Sequence, residues 1–417
     1  MKRLFILLLI VALILGFSGC KPSEPPFEVE TVVIWHTYTN NQKDNLERIV
    51  AEFNVLHEGE IEVIVQTQEY SGFLNKVNES VDNGVGPDII FDYASTVTTY
   101  VESTEEETKV IDFNKYLSQD FSKLVSEAVY AEMTDFVDGK LHILPIVTTG
   151  PVYFYNEKIF KQYEVEVPKT WEEVFTAAKT IWGKSNHTVV GFAVDSLTDL
   201  ITTMIMQNDL GYYNEDRTSV LFCNENLAFF LETYKQTVQE GCFQLKSDNS
   251  SDMNALTLAS YIGSSSNFSS LTFEGVGVKP LPQEIDVGMA VTNWAPAWNL
   301  GVIVFKSNEA QEAAAVKFAE YFLKPENNAL WAITMNGFPP YFATQSSVEY
   351  QRELGKNPVL AVMRRQGTIS GVLPNIKGAI AVREAFEELI NTTVAGTVSI
   401  KEGFKICKAA CEAALAE

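Results

Sequence analysis

Aromatic and hydroxyl side chains gather where the apolar runs of this 417-residue chain end. His36 and Tyr38 follow Thr31-Val32-Val33-Ile34-Trp35, and Tyr93 follows Ile89-Ile90-Phe91. Thr148 and Thr149 precede Gly150-Pro151, while Trp294 and Trp298 sit in a stretch broken by Pro and Asn. Flat ring faces with a few aimed hydroxyls suit a polyol or sugar, whose C–H surfaces stack on rings while its hydroxyls bond. The same rings, set around a site, attract a quaternary ammonium, a cation that donates no hydrogen bond. Trp294, Trp298, Tyr38, Tyr93, Phe73 and Phe338 offer such faces, with Tyr70 competing with Phe73 for one place. A phosphodiester needs donors instead, which the hydroxyls of Thr148, Thr149 and Ser264 and the amides at a helix start supply. Plainer roles fit some neighbours: Trp35 ends a buried strand, His36 caps it, and Glu105-Glu106-Glu107 is a solvated face.

Bond-breaking chemistry finds little support. The chain has no Gly-x-Ser-x-Gly elbow, no His-Glu-x-x-His and no P-loop. His36, His57, His142 and His187 are scattered and no Cys-x-x-Cys exists, so neither a metal nor another cofactor is expected. Asp and Glu number 54 against 31 Lys and Arg, a formal charge of −23. Carboxylate pairs are common in so acidic a chain, so counting them does not exclude a glycan-cleaving site. Such acidity repels nucleic acid, and no nucleic-acid partner is expected. A small anionic ligand answers to local donors instead.

The elements that must position these residues alternate in type. Thr31 to Trp35 reads as a buried strand, Leu46, Ile49, Val50 and Phe53 as a helical stripe, and Ile61 to Val65 as a second strand. A strand–helix–strand unit signals a parallel sheet. Asp88 to Phe91 continues it after Gly86-Pro87. Thr170-Trp171-Glu172-Glu173 is a capping box opening a helix lined by Val174, Ala177, Ala178 and Ile181. Glu309 to Leu323 predicts an Ala-rich helix stopped before Pro325, and Ala381 to Ile390 another. Ser260 to Ser270, rich in Ser with Gly263 and Asn267, reads as a loop. The alternation predicts α/β architecture in two lobes.

The first segment reads as an address. Basic Lys2-Arg3, an uncharged run from Leu4 to Phe17 and Ser18-Gly19-Cys20 have the layout of a secretory signal. Its apolar core is too short to span a bilayer comfortably. The cysteine resembles a bacterial lipoprotein cut site, with residues 1–19 the signal peptide, Cys20 lipidated and residues 20–27 a polar tether. An ordinary secretory signal cut nearby is the alternative; either cut places the protein outside the cytoplasm, and the lipoprotein cut would hold it to the membrane by lipid. Cys223 and Cys242 flank a helical pattern that holds them about 20 Å apart, and Cys407 and Cys411 lie one helical turn apart. All four are expected as buried free thiols.

Three segments together resemble the extracellular solute-binding proteins of ABC importers, the family that includes maltose-binding protein. They are Gly86-Pro87-Asp88-Ile89-Ile90; Asp138-Gly139-Lys140-Leu141 through Leu144-Pro145, Tyr155-Asn156-Glu157-Lys158 and Pro168-Lys169-Thr170-Trp171; and Ala313 through Pro325-Glu326, Trp331 and Asn336-Gly337-Phe338 to Pro340. Within the family, Thr148 to Asn156 and the stretch with Asn357-Pro358, Arg365-Gln366 and Arg383 are most similar to the glycerol-3-phosphate and glycerophosphodiester binders. A carboxylate those proteins carry falls at Ala94 here, their Gly-Gly-Ala-Ser crossover is Ala297-Trp298-Asn299-Leu300, and their Tyr is Phe338.

The resemblance implies a type II periplasmic-binding-protein-like fold, each lobe a mixed sheet flanked by helices, joined by several hinge crossovers. Residues 28–148 and 297–335 would form one lobe, and 149–296 and 336–417 the other. It implies a monomer that closes on a small molecule and docks on ABC permease subunits, with no catalytic residue. Arg383 is the arginine it points to for an anionic group. The ligand implied is a glycerophosphodiester such as glycerophosphocholine, or glycerol-3-phosphate. A mono- or oligosaccharide is the alternative, and a surface lipoprotein without transport is the remote one.

Overall fold

Apolar runs rich in β-branched residues become the inner strands of two sheets, and amphipathic stretches cover them. The structure, a computed structural model, describes residues 29–208, 211–283, 294–367 and 370–416. The expected leader, Cys20 and the tether lie outside the described residues. The first five strands in chain order are β1 (Glu30–His36), β2 (Ile61–Thr67), β3 (Ile89–Tyr93), β4 (Leu144–Thr149) and β5 (Pro151–Asn156). Then come β6 (Phe192–Val194), β7 (Phe243–Leu245), β8 (Ser260–Ser264) and β9 (Val276–Lys279). After these lie β10 (Ala295–Pro296), β11 (Trp298–Val304) and β12 (Ser370–Gly371).

One sheet has the order β2-β1-β3-β11-β4, the other β7-β6-β8-β5-β9, and β10 pairs with β12. In the first, β1 runs parallel to β2 and β3, while β11 enters antiparallel between β3 and β4. Its helical cover is the expected stripe of Leu46, Ile49, Val50 and Phe53 on Asn40–Leu56, with the Ala-rich helix Glu309–Phe322 beside it. Pro325 occupies the first turn of the next helix, Pro325–Thr334, where its missing N–H costs nothing. In the second lobe the capping box closes as read. The Glu173 amide donates to the Thr170 hydroxyl, and the Glu173 carboxylate accepts from the Thr170 amide at 3.3 Å. Thr170→Ala is expected to lower stability by about 1 kcal/mol in a denaturant titration, without changing the fold.

Among the described residues three chain crossings join the lobes, and they touch one another. The chain passes from β4 to β5 at Gly150, and from β10 to β11 at Ala297. A Cβ on Gly150 would lie 2.7 Å from the Pro296 carbonyl oxygen, so the two crossings approach as closely as only glycine allows. The third crossing follows helix Pro325–Thr334. Phe338 and Thr148 exchange both backbone hydrogen bonds at 2.8 Å, and the Phe338 ring is half-buried between the two lobes' cores.

Two expectations change. Residues 336–417, expected as a block in the second lobe, begin in the first, where Tyr341 and Tyr350 are buried in its core. The crossing is completed only near helix Pro358–Gln366, whose Val359 and Met363 pack on the β5–β8 side. Ser260 to Ser264 is not loop but the central strand β8, and only Ser265–Ser270 turns, as a 3₁₀ segment. Small residues stand there because space is short: a Cβ on Gly263 would meet Asp195 Oδ2 at 2.2 Å.

Candidate functional site

Between the lobes, the carboxyl ends of β3 and β4 and the start of β11 face helices of the second lobe. Register makes this a single sheet end: Leu300 pairs with Tyr93, Asn299 with Thr148, and Trp298 with Thr149. Strand ends expose polar backbone and side chains that strand interiors must bury, which is why ligands of open α/β sheets collect there.

Tyr93 keeps 40% of its surface open. Burial of its hydroxyl pushes its pKa up, and Asp92, Tyr70 and Asp199 push it the same way, while Arg383 opposes them. The phenol therefore feels both lobes, since Asp199 lies on helix Leu197–Gln207 and Arg383 on helix Ala379–Val394. Arg383 Nη1 donates to Asp199 Oδ1 at 2.7 Å. Asp92, whose oxygen accepts the Tyr93 amide at 2.8 Å, is pushed up to about 6 by burial.

Beside this lies a buried polar chain. The Thr148 hydroxyl donates to Asn299 Oδ1, and Asn299 Nδ2 donates to Glu132 Oε2. Glu132 is pushed up to about 8 by burial, against the Asn299 hydrogen bond, with Asp135 adding to the rise. Asn375, from the second lobe, donates from Nδ2 to the Glu132 carbonyl at 2.8 Å and from its amide to Asp135 Oδ2 at 3.0 Å. Arg217 pairs with Asp135 at 2.9 Å and Lys377 with Glu102 at 3.5 Å. These interlobe bonds border a cavity of about 370 Å³.

The raised carboxylate has a pH consequence. Between the ordinary glutamate value of 4.5 and about 8, the unfolded chain has released the Glu132 proton while the folded chain keeps it. Stability from this group is therefore full below about 4.5 and declines as pH rises to about 8. Glu132→Gln is expected to flatten the fall of the thermal midpoint over that window and to leave the variant the more stable protein at pH 8. An unchanged slope would contradict the assignment.

The expected site residues divide into groups. Thr148, Thr149, Trp298 and Phe338 meet at the hinge. Tyr93 and Arg383 face each other across the cleft. Tyr38 packs its ring on Phe91 and Trp331, at 5.7 and 5.0 Å between centroids. Its buried hydroxyl has no hydrogen-bond partner among the described residues, and burial first, then the neighbouring Tyr93 and Asp92, push its pKa up. Ser264 caps its own 3₁₀ turn by accepting the Ser266 amide. That turn touches the first lobe, where the Ser266 hydroxyl donates to the Met335 carbonyl at 3.0 Å. Trp294 sets its indole against Gly371, and its carbonyl accepts from Gln207 at 2.9 Å. Phe73 departs from expectation: it is 9% exposed and packs in the first core, whereas its competitor Tyr70 is 85% exposed and lies near the Tyr93 phenol. Phe73 opens helix Phe73–Asp82 on its buried face, so its ring has no free side.

Sequence reading passed over Glu132, Asp199 and Asn375. Asn299 did leave a signal, a lone amide inside the otherwise apolar Trp298–Val304.

Residues 48–356 match the family model for bacterial extracellular solute-binding proteins. The sn-glycerol-3-phosphate-binding periplasmic protein UgpB of Salmonella typhimurium is 24% identical over 392 residues, covering 88% of this chain and 86% of that protein. UgpB of Mycobacterium tuberculosis, solved in complex with glycerophosphocholine, superposes with a TM-score of 0.78 at 14% identity, over 93% of this chain and 98% of that one. The cyclic alpha-maltosyl-1,6-maltose binding protein of Arthrobacter globiformis gives 0.76 at 19% identity, over 93% and 99%. No described helix is long and apolar enough to cross a membrane. Two mixed sheets, three touching crossings and a polar cleft between lobes agree with these matches over most of the chain's length: it belongs to the bacterial extracellular solute-binding protein family and has the two-lobed type II periplasmic-binding fold.

Proposed function

We propose that this chain is the lipid-anchored substrate-binding subunit of an ABC importer, and that it captures a glycerophosphodiester with a cationic head group, such as glycerophosphocholine. One observation carries the reading: the Asp199–Arg383 pair beside Tyr93 sets one guanidinium among several carboxylates. A zwitterion matches that balance. The phosphodiester takes the Arg383 fork, and the trimethylammonium takes the faces of Tyr93 and Tyr70 with the negative field of Asp92 and Asp199 behind them. Glycerol hydroxyls have Asn299 at the same sheet end, with Glu132 of helix Glu127–Met133 bonded to it. Glycerol-3-phosphate, with two negative charges and no cation, suits the acidic surroundings less. The likeness to glycerol-3-phosphate-binding proteins supports the same class.

The mechanism is closure. Neither lobe alone surrounds the cleft, so the ligand's differential contacts with the closed state shift the lobes together. The closed face then presents the solute to the permease, and this subunit breaks no bond.

A neutral mono- or oligosaccharide is the second reading, favoured by the Asp92 and Asp199 carboxylates, which accept sugar hydroxyls well, and by the structural likeness to a maltosyl-maltose binding protein. Calorimetric titration with glycerophosphocholine, glycerol-3-phosphate and maltose separates the two. Heat from glycerophosphocholine and none from maltose supports the first; the reverse overturns it.

A further inference from the structure

Cys223, Cys407 and Cys411 meet at one place in the second core, though the first comes from a distant loop. Cys407 Sγ and Cys411 Sγ lie 3.8 Å apart on successive turns of helix Ile400–Ala414. The Cys223 thiol lies close enough to Cys407 to push the Cys407 thiol up. It is held there by Phe222, whose ring lies 4.3 Å from that of Phe386 on helix Ala379–Val394, the partner of helix Ile400–Ala414. Cys242 stands apart and bonds the Thr237 carbonyl at 3.4 Å. Cys407 and Cys411 are buried, while Cys223 is half-exposed and so gives the cluster its entrance. The Cys407 hydrogen bond holds the Cys411 thiol below its ordinary value, and the two neighbouring sulfurs together with burial push Cys407 up. Among the described residues no cluster has the arrangement to hold a metal ion, so thiol chemistry is the reading these atoms favour.

We propose that Cys223 and Cys407 form a reversible disulfide that clamps the C-terminal helix pair to the loop before helix Glu225–Gln239, with Cys411 relaying the Cys407 proton. The oxidant is an external disulfide, RSSR, of the kind present in oxidising extracytoplasmic spaces. Cys223, having lost its proton to water, attacks one sulfur of RSSR. The RSSR bond breaks, a Cys223–SR mixed disulfide forms, and RS⁻ leaves and takes up a proton. Cys407 then gives its proton by way of Cys411 to the second departing RS⁻ and attacks Cys223. Two protein thiols are oxidised and one RSSR is reduced to two RSH. Cys407 and Cys411 do not bridge each other, because Cβ vectors one turn apart on a helix run side by side.

The inference rests on the family reading only for the oxidising compartment, and its test uses no solute, so the two fail separately. The full chain is equilibrated in glutathione buffers of graded oxidised-to-reduced ratio, then mapped by non-reducing peptide mass spectrometry. The expected result is a Cys223–Cys407 cross-linked peptide, the loss of two titratable thiols and a thermal midpoint raised by roughly 5 °C. Cys223→Ala, at a half-exposed loop position, removes both the cross-link and the shift. Cys411→Ala retains the cross-link but forms it about tenfold more slowly, consistent with a lost proton relay. A bridge mapped to Cys407–Cys411, or glutathione that stays on Cys223 of the unmodified protein without exchange, overturns the proposal.

Discussion

Replacing Arg383 with alanine is expected to weaken glycerophosphocholine binding about 10- to 150-fold, the loss of a charge-assisted contact of about 1.5–3 kcal/mol. Two effects add. The phosphodiester loses the guanidinium beside Tyr93, and Asp199, now without its 2.7 Å partner, turns its charge on the same anion. Arg383→Lys keeps the charge but not the planar fork, so its affinity should fall between the two. Asp199→Asn separates the contributions, because it removes the competing carboxylate and leaves the guanidinium free for phosphate. Titration calorimetry reads all three variants. If maltose is the ligand instead, Arg383→Ala should change its affinity by only a few-fold, since a neutral sugar offers the guanidinium no charge.

The second large effect belongs to the hinge. A Cβ on Gly337 would lie 2.3 Å from Val147 Cγ2 and 2.8 Å from the Thr148 carbonyl oxygen. Gly337→Ala therefore forces apart the third crossing and β4, which Phe338 and Thr148 tie together next door. Overpacking of this kind costs about 1–3 kcal/mol, a fall of several degrees in the thermal midpoint. Because the strained pair spans the lobes, ligand affinity should fall with stability. Gly183→Ala is the matched control. It sits inside helix Trp171–Lys184 with nothing within 4 Å of the added carbon, and alanine there should raise stability by about 0.5–1 kcal/mol with affinity unchanged. Equal effects at the two positions would show that the Gly337 packing does not matter to the hinge.

These expectations mark what local sequence could and could not reveal. The strand Thr31 to Trp35, the stripe ending at Phe53 and the Thr170 capping box were legible because in each the deciding residues lie within four positions of the next. Strand β8 was not, because its serines and Gly263 reflect the lack of room beside Asp195 and Tyr261, a constraint set by other parts of the chain. The site shows the same limit. Chemistry points to Tyr93 and the family resemblance to Arg383, yet what Arg383 can do depends on Asp199, 184 positions away, and Asn299 owes its role to Glu132, 167 positions away. Tyr70 and Phe73 are both aromatic and three residues apart; only the orientation of helix Phe73–Asp82 puts one ring into the core and leaves the other free. The three-thiol cluster was invisible for the same reason, since Cys223 reaches Cys407 only through the packing of Phe222 on Phe386.

Small-angle X-ray scattering of the protein with and without glycerophosphocholine tests closure most directly. The radius of gyration should contract at saturating ligand, and Arg383→Ala at the same ligand concentration should stay extended. A scattering profile that does not change although calorimetry shows the site filled would contradict the closure of two lobes on a shared solute.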